Sequence, residues 1–230
     1  MFNWLEKHPL FLGIVIFLFV SFAWIVTILP NFAEMARPTV GTKPYTVLEL
    51  AGRGVYIKDS CNACHSQMIR PFKSETDRYG IYSLSGEYAY DRPSLWGSKR
   101  TGPDLLRVGN YRTTDWHENH MLNPTSVVTG SIMPKYPHMF KNLADIDTAW
   151  AEAETVRKVF SVPYNEPLIQ KDGTYQSVKL ASTIEEAKAD ALAEAKLVAS
   201  DMKTKSVIDA IERGEIPEIV ALIAYMNSLK

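Results

Sequence analysis

Cys61-Asn62-Ala63-Cys64-His65 contains both cysteines of this 230-residue chain, and the reading of the rest turns on it. C-x-x-C-H is the spacing at which two thiols add across the vinyl groups of a haem while the next residue sets its imidazole beneath the iron. A thioredoxin-like dithiol also uses C-x-x-C, but it follows a strand and does not require the histidine. A structural zinc site asks for four ligands, typically with a second Cys or His pair at short spacing, and none stands out. The expectation is one covalently bound haem c, held through Cys61 and Cys64, with His65 as an axial iron ligand.

Toward the N-terminus, Leu10 to Leu29 form twenty consecutive residues without a formal charge. At about 1.5 Å per helical residue they span a hydrocarbon core of roughly 30 Å. A cleaved signal peptide would usually have a shorter apolar region ending in a small-x-small site, whereas Pro30-Asn31-Phe32 follows here, which favours an uncleaved anchor. Trp4 and Trp24 near the two ends suit interfacial positions, and Trp24 equally suits packing against another helix. The flanking charges are sparse: Glu6 and Lys7 before the span, Glu34, Arg37 and Lys43 after it. Taken literally they favour a cytoplasmic C-terminal side. Haem attachment to such motifs takes place on the outer face of the membrane, and that consideration outweighs the charge count. Residues 30–45 carry Pro30, Pro38, Gly41 and Pro44 without helical periodicity and read as a linker. The expected organisation is an anchor over 1–29, a linker over 30–45 and a haem domain over 46–230.

The iron needs a second axial ligand or an open position. Met133, in Gly130-Ser131-Ile132-Met133-Pro134, is the leading candidate, because proline fixes the backbone just after it. Met121, Met139, His117, His120 and His138 stay open as alternatives, while Met68 lies too close to His65 in sequence to reach the opposite face easily. Two helices are expected to frame the site. The first runs around Thr46 to Lys58 with Gly52 and Tyr56 on one face, and the last from Pro217 to Leu229 repeats Ile219, Leu222, Ile223 and Met226. A glycine lets two helix backbones cross closely, with Tyr56 and Tyr225 placed to pack around the crossing.

The G-x-x-x-Y helix, C-x-x-C-H, Gly102-Pro103-Asp104-Leu105, the Ser131 to Pro134 loop and an L-x-x-Y helix occur in the order of the class I cytochrome c fold. The finer detail lies in residues 61–71, 96–105 and Asn123-Pro124. With the anchor, it resembles the monohaem cytochrome c subunit of cbb3-type cytochrome c oxidases, the C-family haem-copper oxygen reductases. The resemblance implies a mainly α chain: one transmembrane helix plus a class I cytochrome c-like domain with insertions near 66–101 and 140–214. It implies that Cys61 and Cys64 bind the haem and that His65 and Met133 ligate its iron. The implied partners are the catalytic haem-copper subunit and a donor, either a further cytochrome c subunit or a soluble cytochrome c. The implied location is a bacterial inner membrane, single pass, with a cytoplasmic N-terminus and a periplasmic haem domain. Membrane lipid is an expected partner and nucleic acid is not.

The stretch between His65 and Gly102 is rich in Tyr, Arg and Gly, and it reads as a docking surface or as an ordinary surface loop. Arg70, Arg92 and Arg100 are all candidates for haem propionates. A helix is expected from about Leu143 to Phe160, before a turn at 162–165. Another should follow the capping-box pattern Ser182-Thr183-Ile184-Glu185 and run to about Lys203 with a solvated charged face. No catalytic site is expected on this chain itself. An anchored cytochrome of another reductase, such as nitric oxide reductase, and a haem-based gas sensor are the alternative functions.

Overall fold

The computed structural model describes residues 2–32, 37–97 and 99–230. Among them are ten α-helices and one two-stranded hairpin, so the mainly helical expectation holds. Helix α1 (Phe2–Glu6) leads into α2 (Pro9–Phe32), of which Pro9–Ile28 is long and apolar enough to cross a membrane. Its side chains, Leu10, Phe17 and Phe19 among them, are exposed, as those of a helix meant for lipid rather than a protein core would be. Helix α2 runs two residues beyond Pro30, and part of the expected linker, residues 33–36, lies outside the described residues, as does Ser98. The following segment lies along the domain: Thr39 N–H donates to the Gly86 carbonyl (3.1 Å) and Gly41 N–H to that of Ile169 (3.2 Å).

Helix α3 (Val47–Lys58) starts on a reciprocal cap. Thr46 Oγ1 accepts from Glu49 N–H (3.1 Å), and the Glu49 carboxylate accepts from Thr46 N–H (2.8 Å), satisfying two donors that the first turn leaves free. Short helices follow: α4 (Lys73–Tyr79), α5 (Thr114–Leu122) and α6 (Pro124–Val127). Helix α7 (Ile146–Phe160) begins three residues later than expected, because the Asp145 side chain caps Thr148 N–H (2.9 Å) while Leu143 bridges to Pro217. Strands β1 (Leu168–Ile169) and β2 (Tyr175–Gln176) pair antiparallel, Leu168 opposite Gln176.

Helix α8 (Ile184–Ala199) buries Ala187, Ala191, Ala195 and Ala199, a stripe at four-residue spacing that lets neighbours pack closely. Its cap stands one residue beyond the expected Ser182–Glu185 pair. Thr183 Oγ1 accepts from Glu186 N–H, and the Glu186 carboxylate accepts from Ser182 N–H. The helix also ends before Lys203. Helix α9 (Lys205–Glu212) follows, unforeseen, and then α10 (Glu218–Ser228).

Helices α3 and α10 form the most extensive helix pair, with α7 packed on α3 and α5 and α8 on α10. Ile219 to Met226 are all buried, as for a helix that is apolar all round. At the expected crossing, a Cβ on Gly52 would overlap the Ala221 carbonyl, so the two backbones touch where glycine stands. Tyr56 meets Tyr225 edge-on beside it, with ring centroids 5.6 Å apart. At the far end of α10, Gly109 N–H donates to the Leu229 carbonyl (2.8 Å).

Candidate functional site

Helix α3 delivers the cysteine motif. Asp59 closes the helix, Ser60 takes a left-handed conformation (φ 56°), and Cys61–Ala63 form a single tight turn. Ala63 N–H bonds the Ser60 carbonyl (2.9 Å) and His65 N–H bonds that of Cys61 (2.9 Å), so both cysteines and the histidine share one turn. Cys61 is buried and Cys64 exposed. Burial, helped by the neighbouring Asp59 carboxylate, pushes the Cys61 thiol up to about 12.

His65 Nδ1 lies 2.8 Å from the Pro103 carbonyl oxygen. A carbonyl only accepts, so Nδ1 carries the proton and Nε2 presents its lone pair, the form that binds a metal. Burial lowers the His65 pKa, against the opposing pull of the Pro103 carbonyl and Asp104. Gly102 is what lets the ring approach this segment: a Cβ there would stand 2.7 Å from Nδ1 and from Nε2. Gly102 N–H also donates to the Cys64 carbonyl (2.9 Å).

Asp104, 1% exposed, accepts from Ser66 Oγ (2.6 Å), Met68 N–H (2.8 Å) and Leu106 N–H (2.9 Å). Tyr88 Oη donates to the Gln67 carbonyl (2.7 Å) and Tyr225 Oη to Gln67 Oε1 (3.0 Å), tying the motif's downstream end to α10. Arg100 donates to Ser66 Oγ, the Met68 carbonyl and Glu75 (each 2.7–2.8 Å), and Arg70 also pairs with Glu75. The two arginines, Arg100 foremost, hold Glu75 down at about 2. Of the arginines considered for propionates, Arg70 and Arg100 thus serve Glu75, and Arg92 donates to the Ala89 and Asp91 carbonyls.

Met133 follows Gly130 (φ 75°), and its N–H donates to Ser131 Oγ (3.3 Å). It is half-buried against the same core that contains Cys61. Three residues on, Tyr136 is pushed above the usual phenol range by burial and then by Cys61, Asp59 and Cys64, which lays this segment beside the motif. Among the other ligand candidates, Met121 and Met139 are buried in the core, and His138 lies 3.2 Å from both Asp59 oxygens. Burial, foremost, drives His117 and His120 down to about 4, so both stay neutral imidazoles, and His65 is one of the groups acting on His120. His117 Nε2 and His120 Nδ1 are buried without a hydrogen-bond partner among the described residues. Trp116 stacks on His120 (4.5 Å) under the guanidinium of Arg112 (4.3 Å).

These residues fit a haem c: two free thiols on one turn, an oriented imidazole with its Nε2 lone pair available, a glycine-walled seat behind it and a thioether loop alongside. Sequence reasoning missed the parts played by Gln67, Glu75 and Arg112. Gly102-Pro103 was legible as part of a block in the order of the class I cytochrome c fold, but not as the acceptor of His65 Nδ1.

A comparison with curated proteins gives no match. The family model described as cytochrome c oxidase, mono-heme subunit/FixO, matches residues 2–230, and the chain belongs to that family.

Proposed function

We propose that this oxidase subunit carries one haem c, bound as thioethers through Cys61 and Cys64, and works as the single-electron relay of a cbb3-type terminal oxidase. The bound haem supplies one-electron Fe(III)/Fe(II) chemistry. His65 offers Nε2 to the iron, and the Pro103 carbonyl at 2.8 Å keeps the ring in that tautomer and orientation. This contact, made where Gly102 leaves room for the ring, is the observation that carries the reading. Met133, packed beside the motif, would be the second residue to hold the iron, where its thioether would exclude water and oxygen and favour the reduced state, raising the potential. No substrate bond is made or broken on the chain, so catalysis belongs to the assembled complex.

Helix α2 anchors the domain, with the N-terminus in the cytoplasm and the haem domain in the periplasm of a bacterial inner membrane. Electrons arrive from a donor cytochrome, either a further subunit or a soluble protein, and leave for the catalytic haem-copper subunit in aerobic respiration. Phe72, Ile81, Tyr82, Leu84 and Trp96, exposed on the 66–101 insertion, suit the docking of that subunit.

Purification from its native membrane in mild detergent tests this. The chain should stain for haem after denaturing electrophoresis and travel with a partner holding b-type haem and copper. Co-purification with a nitric oxide reductase would transfer the subunit to that complex, and carbon monoxide binding by the native ferrous protein would favour a sensor. In Met133→Leu the covalent haem should remain while the reduction potential falls. An unchanged potential and spectrum would move the sixth ligand to another residue.

A further inference from the structure

A second group of ligating side chains lies beside the cysteine motif and takes no part in it. Asp59 closes α3, His138 sits in the turn after Met133, and Glu218 opens α10; one ligand atom from each falls within 4.8 Å of the others. Glu218 is 5% exposed. One of its oxygens is held by Lys58, and the other is buried with no hydrogen-bond partner among the described residues. A buried carboxylate oxygen without a partner is costly, and a second carboxylate close by adds repulsion. Lys58 offsets this from one side only, on a side chain that is itself 52% exposed.

We propose that Asp59, His138 and Glu218 bind one divalent transition-metal ion of the Zn2+ type, with solvent completing its coordination. The donor set decides the class. Ca2+ and Mg2+ take oxygen ligands, whereas an imidazole with two carboxylates matches zinc and its neighbours. The partly exposed His138 gives the ion a way in. Once bound, it adds one shared centre to three segments that are otherwise linked pairwise, by Lys58 on Glu218, His138 on Asp59 and Glu218 N–H on the Asn142 carbonyl: the end of α3 leading into Cys61, the chain just after Met133, and the start of α10. It thereby clamps the Met133 segment to the helix pair. Lys58 is its competitor for Glu218.

The full-length haem protein in detergent, stripped with EDTA, is titrated with ZnCl2 by calorimetry as wild type, His138→Ala, Glu218→Gln and Lys58→Gln, with circular dichroism confirming that each is folded. Wild type should bind one Zn2+ per chain. His138→Ala should weaken binding by more than about a hundredfold, since loss of an outer-shell group alone costs up to about that much. Lys58→Gln should tighten it about two- to fivefold, the worth of one exposed competing ammonium. That gain keeps the test decisive even if Glu218→Gln does not fold. No stoichiometric Zn2+ in wild type, undiminished binding in His138→Ala, or no gain in Lys58→Gln would each overturn the assignment.

Discussion

Where α3 crosses α10, contact is apolar and close at the backbone, with Gly52 against the Ala221 carbonyl and Tyr56 against Tyr225. Between Ser66 and Asp104 the same turn is gripped from the other side by ions and hydrogen bonds, with Asp104, Glu75 and Arg100 at the centre. Buried apolar side chains there are few: Ile69 and Tyr88 pack with Leu106 as a small satellite of the main core. The helix pair is therefore governed chiefly by volume, while the insertion is sensitive to the loss of a charge and to acid.

The largest test of that contrast is Gly52→Ala. It should cost about 3 kcal/mol or more, because the new methyl meets backbone that cannot turn away. Chemical denaturation of the full-length protein reads it, and a loss near zero would mean that the helices do not touch there.

Glu75→Gln should come next, at about 2 kcal/mol, leaving Arg100 with its main partner neutralised. The folded Glu75 carboxyl is held near 2 against an ordinary 4.5, so its contribution is present above 4.5 and lost as pH falls toward 2. Melting curves across that window should lose part of their acid slope in the variant. An unaltered slope would place the charge dependence elsewhere.

The smallest effect tests whether the helical frame is free of charge strain. Glu194 on α8 donates no stability: burial, with Glu49 nearby, pushes it up to about 7, although Thr46 Oγ1 bonds it at 3.1 Å. A carboxyl with a raised folded pKa binds its proton better folded than unfolded, so stability falls as pH rises from 4.5 to 7. Glu194→Gln should gain roughly 1 kcal/mol above pH 7 and nothing at pH 4, after allowance for solvent screening. Equal gains at both pH values would contradict an electrostatic cost at Glu194.

The same contrast explains what could be read from sequence. Helices α3 and α10 were legible because Gly52, Tyr56, Ile219 and Leu222 repeat at helical spacing, and the cysteine motif because its chemistry dictates its spacing. The insertion was not, since ion pairs such as Arg100–Glu75 join residues with no shared periodicity. Helices α5 and α9 lacked a long apolar repeat, α5 carrying Asp115, His117, Glu118, Asn119 and His120 within nine residues. The hairpin at 168–176 had a signal that was overlooked, the Asp172-Gly173 pair at its turn. At α8 two adjacent hydroxyl residues, Ser182 and Thr183, competed for one cap, and pattern alone could not choose between them.

The pairing of α3 with α10 also imposes an order of events. These helices stand at opposite ends of the domain's sequence, so a chain made from its N-terminus presents the cysteine turn long before its last helix exists. In the folded domain Cys61 is buried and its thiol is hard to ionise. That sulfur is therefore more reactive while the domain is still incomplete than after the fold has closed over it.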